Sequence, residues 1–233
     1  MSSDHAQQLL ERYHQVRSRI ASLDKHHAIS LLAVSKTKPI EDIECLAAAG
    51  QKAFGENYLQ EALDKIAVRP DLNWHFIGPI QSNKTKPIAE HFNWVHSVDR
   101  IKIAQRLSNQ RPKHLPPLNI LLEVNVDNQA SKAGFKLSEV ADRVAEIKAL
   151  PNIQLRGLMA IPAKHDGLEA QRQPFRKLKR LLDVLQKQFP ELPLDTLSMG
   201  MSGDLEAAII EGATIVRIGT DIFGARHYPA SDT

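Results

Sequence analysis

The 233-residue sequence predicts an α/β protein, a single (β/α)8 TIM barrel with one extra helix at its N-terminus. Three observations predict it. Eight short apolar runs recur along the chain, and helical periodicity separates each from the next. No composition break or linker divides them, so one domain is expected over residues 1–233. A run such as residues 29–34, rich in small and branched apolar residues, reads as a strand covered on both faces of a parallel sheet.

Taken in order, residues 3–24 repeat Leu9, Tyr13, Val16, Ile20 and Leu23 on one helical face. The histidines and arginines there are expected to face solvent. The first strand, 29–34, leads to Lys36. Pro39, which has no N–H to leave unpaired, then opens a helix over 40–49 that Gly50 ends. Strands are expected at 52–57, 73–78 and 94–98, with helices at 58–67, 84–92 and 100–109. Three prolines make 111–117 a loop. A strand at 118–126, a helix at 137–150 and a strand at 154–161 follow. The next helix buries Phe175, Leu178, Leu181, Leu182, Leu185 and Phe189. A strand at 196–199, a helix at 204–211 and a strand at 214–219 complete the set. Little chain remains for an eighth helix, and the N-terminal helix is expected to fill part of that gap.

Composition narrows the class. Thirty basic and 27 acidic residues give a net charge of +3, which implies no strong field for a polyanionic partner. The single cysteine, Cys45, excludes an internal disulfide and fits a reducing cytosol. No run reaches membrane-spanning length and no apolar signal core opens the chain, so a cytoplasmic protein without membrane contact is expected. Arg172, Arg176, Lys177, Lys179, Arg180 and Lys187 make one helix basic. Without interleaved aromatics this reads as a solvated face, and no nucleic-acid partner is expected.

In βα folds ligands collect at the carboxyl ends of the strands. Those ends carry Lys36, Asn57, His75 to Gly78, His96, Ser97, Asn125, Met159, Ser198 to Ser202 and Arg217 to Thr220. Lys36 reads either as a lysine snorkelling into water or as a Schiff-base lysine. Glycines in the loops after strands seven and eight read either as ordinary turns or as a phosphate cup. Arg217 alternates with apolar neighbours and faces the interior, where it needs a structural carboxylate or a ligand atom. Together they describe a site for pyridoxal 5′-phosphate. An arginine at the pyridine nitrogen donates a hydrogen bond and keeps its proton, which leaves the ring a poor electron sink.

The chain resembles the pyridoxal phosphate homeostasis proteins, single-domain relatives of the alanine racemase N-terminal barrel. The resemblance rests on Ala33-Val34-Ser35-Lys36, Phe54-Gly55-Glu56-Asn57-Tyr58, the run from Trp74 to Lys84, and His96-Ser97-Val98-Asp99. It continues in Gly157-Leu158-Met159, the run from Leu197 to Asp204, and Val216-Arg217-Ile218-Gly219-Thr220. It implies that Lys36 carries the cofactor as a covalent aldimine and that Arg217 faces the ring nitrogen. It further implies phosphate contacts from Ser198, Ser202, Gly219 and Thr220, and a ring lined by Asn57, His75 and Met199. No catalytic residue and no metal ligand is implied. The implied function is carriage and buffering of the cofactor, with effects on amino-acid pools, by a monomer that supplies apoenzymes. The alternative is an amino-acid racemase or another aldimine-dependent enzyme. Racemisation needs a second base opposite the lysine. The tyrosines are Tyr13, Tyr58 and Tyr228, and the sequence places none of them there. The polar, glycine-ended stretch 127–134 has the composition of a mobile loop, and its Lys132 reads as a surface lysine or a transient acceptor of the aldehyde.

Overall fold

The computed structural model describes residues 1–24 and 29–224; Tyr228 lies outside them. The elements are α1 (Ser3–Leu23), β1 (Ser30–Val34), α2 (Ile40–Ala48), β2 (Ala53–Glu56), α3 (Leu59–Val68) and β3 (Asn73–Phe76). Then come α4 (Thr85–His91), β4 (Trp94–Val98), α5 (Ile101–Gln110), β5 (Leu118–Glu123), α6 (Val140–Ile147) and β6 (Ile153–Met159). The last are α7 (Leu168–Gln188), β7 (Thr196–Ser198), α8 (Leu205–Ile210), β8 (Ile215–Ile218) and α9 (Thr220–Phe223). All strands pair in parallel in sequence order, and β8 returns to β1 from Ser30↔Ile215 to Ala33↔Ile218, closing the barrel. Six of the eight expected strands overrun at their carboxyl ends, most at β5, expected to 126 and observed to Glu123. Val124 N–H still reaches Met159 of β6, and then Asn125 N–H turns to the loop carbonyl of Phe135.

Helix α1 buries Leu9, Tyr13, Val16 and Ile20 and packs against the short α9, which leaves that part of the outer layer thin. Its polar face does more than meet solvent. Arg12 Nε donates to the Ile222 carbonyl at 2.8 Å, and His5 Nε2 lies 2.8 Å from Asp42 Oδ1. On α7, Phe175, Leu178, Leu182 and Leu185 are buried as expected, with Phe189 buried just beyond and Leu181 at the margin. Three of the six basic residues of α7 are matched by acids: Arg172 and Arg176 both reach Glu211 and Glu169, and Lys179 pairs with Asp183. Among the described residues no helix is long and apolar enough to cross a membrane.

The barrel interior carries a polar layer. His75 Nδ1 lies 2.8 Å from His96 Nε2, His96 Nδ1 lies 2.8 Å from Ser198 Oγ, and Arg217 Nη1 donates to that same oxygen at 2.7 Å. All four side chains are buried. Arginine has only donors, so the Ser198 hydroxyl oxygen accepts from Arg217. Between the two rings one nitrogen must offer a lone pair, and the chain ends at His75 Nε2, a buried atom without a partner. Burial pushes His75 down to about 3, and it also holds His96, beside His75 and Arg217, well below the ordinary range.

Two outcomes follow from this core. A Cβ at Gly157, whose φ is +149°, would lie 1.9 Å from the Thr196 carbonyl oxygen. Gly157→Ala should therefore cost at least about 3 kcal/mol through overlap with backbone and a strained φ, read as a lowered urea midpoint. The second outcome concerns pH. The unfolded chain protonates its histidines near 6.5, whereas folded His75 resists protonation down to about 3. Unfolding thus takes up protons below 6.5, and stability falls as pH drops through that window. The expected slope is about 1.4 kcal/mol per pH unit for each of the two rings, measured by urea unfolding at stepped pH. A flat profile in that window would contradict the neutral pair.

Candidate functional site

A cavity of about 250 Å³ opens at the carboxyl end of the barrel. Lys36, Asn57, Ser202, Arg217, Gly219 and Thr220 line it together with Met159, so six of the nine residues expected to bind cofactor meet there. His75, Ser198 and Met199 do not line it. His75 and Ser198 belong to the polar layer beneath, and Met199 is fully buried with its N–H bonded to the Ile215 carbonyl. A second cavity of about 330 Å³ adjoins the first through Met201 and Gly203 and runs beneath the 162–166 segment.

Each lining group is set by its element. Lys36 follows β1 in a turn closed by the Lys38 N–H to the Ser35 carbonyl, at 3.1 Å. Asn57 follows β2, and Gly78 packs so closely on its backbone that a Cβ there would meet the Asn57 carbonyl oxygen at 2.4 Å. The Ser97 hydroxyl holds Gly78 by its carbonyl. Asn57 Oδ1 is buried without a partner, an acceptor that a bound donor would satisfy. In the loop after β7, the Met201 N–H donates to Asp204 Oδ1 at 2.6 Å, which shapes the turn carrying Ser202 and Gly203. A Cβ at Gly203 would meet nothing within 4 Å, so its backbone stands open to an approaching anion.

Arg217, on β8, is 4% exposed. Nη1 goes to Ser198 and Nη2 to the Ala160 carbonyl at 3.1 Å, and no ion pair to it is present among the described residues. Burial lowers it to about 10, with Asp204 and Glu123 pulling the other way, so it stays charged near neutrality. Of the two partners the sequence left open, a carboxylate is therefore absent at contact distance among the described residues, and the residue also borders the cavity. Burial in turn raises Glu123 and Asp204, against the field of Arg217.

Other expected rim residues have local duties. Asn125 bonds the Gln129 and Lys132 carbonyls and the Gln129 N–H, tying down the loop whose composition suggested mobility. Lys132 Nζ donates to the Ile161 carbonyl at 2.9 Å, at the edge of the cavity. Two features escaped the sequence reading. One is the inward direction of His96; its place two residues past Trp94 on a short strand was the available signal. The other is Lys65, buried on α3 with Ala62 and Ile66, where its position on their apolar face was a signal. Among the described residues no group of three or more potential ligands could hold a metal ion.

A family model, alanine racemase, N-terminal domain, matches residues 12–227. The pyridoxal phosphate homeostasis protein of Pseudomonas aeruginosa is 61% identical over 204 residues, covering 87% of this chain and 86% of the relative. Among solved structures, PipY of Synechococcus elongatus with PLP bound is 36% identical, covers 93% of this chain and 100% of PipY, and superposes with a TM-score of 0.83. An alanine racemase of Clostridium difficile in complex with cycloserine shares the fold at 16% identity, with 99% of this chain covering 62% of that one at a TM-score of 0.73. With its closed parallel barrel, its lysine and arginine on one rim cavity and these relatives, the chain belongs to the pyridoxal phosphate homeostasis protein family, within the alanine racemase N-terminal domain fold.

Proposed function

We propose that this protein binds pyridoxal 5′-phosphate in the rim cavity and carries and buffers it, maintaining the intracellular pool of the cofactor and through it amino-acid balance. The carrying observation is that Lys36, Arg217, Asn57 and the two glycine-bearing loops open on one cavity, in a chain 36% identical to PipY, which was solved with PLP bound. In this reading Lys36 is the covalent attachment point. Ser202, Gly219 and Thr220 hold the phosphate, with the open backbone at Gly203 beside them. Arg217 directs a donor at the ring nitrogen and, anchored by Ser198, gives up no proton. Asn57 meets the ring edge, while His75, Ser198 and Met199 support the site from below. When bound, the cofactor supplies an aldehyde that takes up amines reversibly.

Carriage is favoured over turnover by what lines the cavity. Lys36 brings the one amine among the described lining residues; the others are apolar, amide, hydroxyl, glycine or Arg217. Tyr13 is buried on α1 with Gln51 and Arg17, and Tyr58 is half-exposed on the outer side of Asn57. Neither lines the cavity, so among the described residues no second base stands opposite Lys36. Ile161 and Met201, 41% and 38% exposed, form an open apolar mouth through which a recipient apoenzyme would draw the cofactor. A reducing cytoplasm is the matching location, consistent with the free thiol of Cys45.

The test begins with a spectrum. The loaded protein should absorb visible light, lose that band on borohydride reduction, and yield a peptide with the pyridoxyl mass on Lys36; Lys36→Ala should show neither. Label chiefly on another lysine would overturn the attachment. Overnight incubation with single L-amino acids, followed by chiral chromatography, should give no more D-isomer than Lys36→Ala gives. Clear excess would make the protein a racemase.

A further inference from the structure

Lys36 sits at the second position of a four-residue turn, Ser35 to Lys38, whose third residue is Thr37 with φ +63°. Turns with a positive φ there favour glycine, and a β-branched threonine in that conformation is held at a cost. Something must over-determine it. The Thr37 N–H donates to Glu61 Oε1 at 2.6 Å, and the Ser35 carbonyl accepts from Lys65 Nζ at 2.9 Å. Glu61 and Lys65 are themselves paired at 2.5 Å across one turn of α3. Inside, Lys65 Nζ also donates to Glu56 Oε1 at 2.8 Å, and the Ser35 hydroxyl donates to the same oxygen at 2.6 Å.

All three hydrogens of the Lys65 ammonium are thus directed at acceptors, two of them carboxylates and the third the peptide carbonyl just before Lys36. Lys65 is 6% exposed and Glu56 fully buried. Burial raises the Glu56 carboxyl, against the pull of Lys65, and its Oε2 has no partner. A buried lysine and glutamate make poor stabilisers, since desolvation consumes most of their attraction. What this group does is grip the backbone on both sides of one residue.

The geometry points to Lys65, with Glu61 and Glu56, as a positioning clamp for Lys36, fixing the turn so that the amine enters the cavity already oriented. This deepens the reading of Lys36 as the cofactor lysine and rests on it. Preorganisation lowers the ordering cost of binding, so loosening the turn should weaken retention without dismantling the barrel.

The test uses the full-length protein with Glu61→Ala, Glu61→Gln and Lys65→Met. Lys65→Met leaves the buried Glu56 carboxylate without its cation and should lower the urea midpoint, so Glu61, partly exposed, carries the decision. In cofactor-free Glu61→Ala the Thr37 amide should exchange with deuterium at least about tenfold faster while the urea midpoint holds. Its dissociation constant for added pyridoxal 5′-phosphate should rise about tenfold, with less pyridoxyl label on Lys36 after brief borohydride treatment. Glu61→Gln keeps an acceptor for Thr37 but loses the charge, and should restore both values to within about twofold of wild type. Unchanged affinity in Glu61→Ala overturns the clamp, even if exchange quickens. Glu61→Gln as weak as Glu61→Ala also overturns it, since charge and not backbone grip would then be the cause. Failure to label Lys36 in the wild type would sink the cofactor reading, while amide exchange would still report on the clamp.

Discussion

A guanidinium buried inside a barrel sets terms for everything around it. Arg217 cannot shed its proton near neutrality, and an uncompensated charge at 4% exposure would be ruinous. The protein answers with neutral acceptors at contact distance, Ser198 and the Ala160 carbonyl, and with the fields of Asp204 and Glu123 from farther off. Those choices propagate. Ser198 accepts from arginine and also meets His96, which meets His75, and burial keeps both rings neutral. A layer that branched apolar residues would fill in other barrels is given to a hydrogen-bond chain. Its effect is to hold one cation still beneath the rim.

The rim has the opposite problem. Lys36 lines an open cavity, and what is fixed is the backbone on either side of it. The grip comes from α3 and the end of β2, elements that contribute nothing to the cavity wall but Asn57 next door. Close backbone contact does the same at Gly78, and Asp204 does it for the loop after β7. The site is thus shaped by main-chain constraints, and its side chains are few.

That sparseness bears on function. Acid–base chemistry on both faces of a bound amino acid needs titratable groups facing one another. Among the described residues His75 and His96 are sealed and neutral, Tyr13 is buried on α1, and Tyr58 faces outward.

The sequence by itself determined the barrel, because apolar runs at strand length separated by helical periodicity leave few other ways to bury that much surface. It also placed Lys36, Asn57, Ser202, Arg217, Gly219 and Thr220 correctly on one rim, since the carboxyl ends of parallel strands converge whatever the side chains do. Tertiary structure alone decided which side chains turn inward and what they meet. His75 and Ser198 lie toward strand ends like the others, yet both turn into the barrel, where each meets His96, a residue distant in sequence. Lys65 and Glu61, spaced as an ordinary surface pair, became a clamp because α3 packs with that face against the turn after β1. Periodicity fixes which residues share a face; only the docking of one element on another fixes which partner a donor finds.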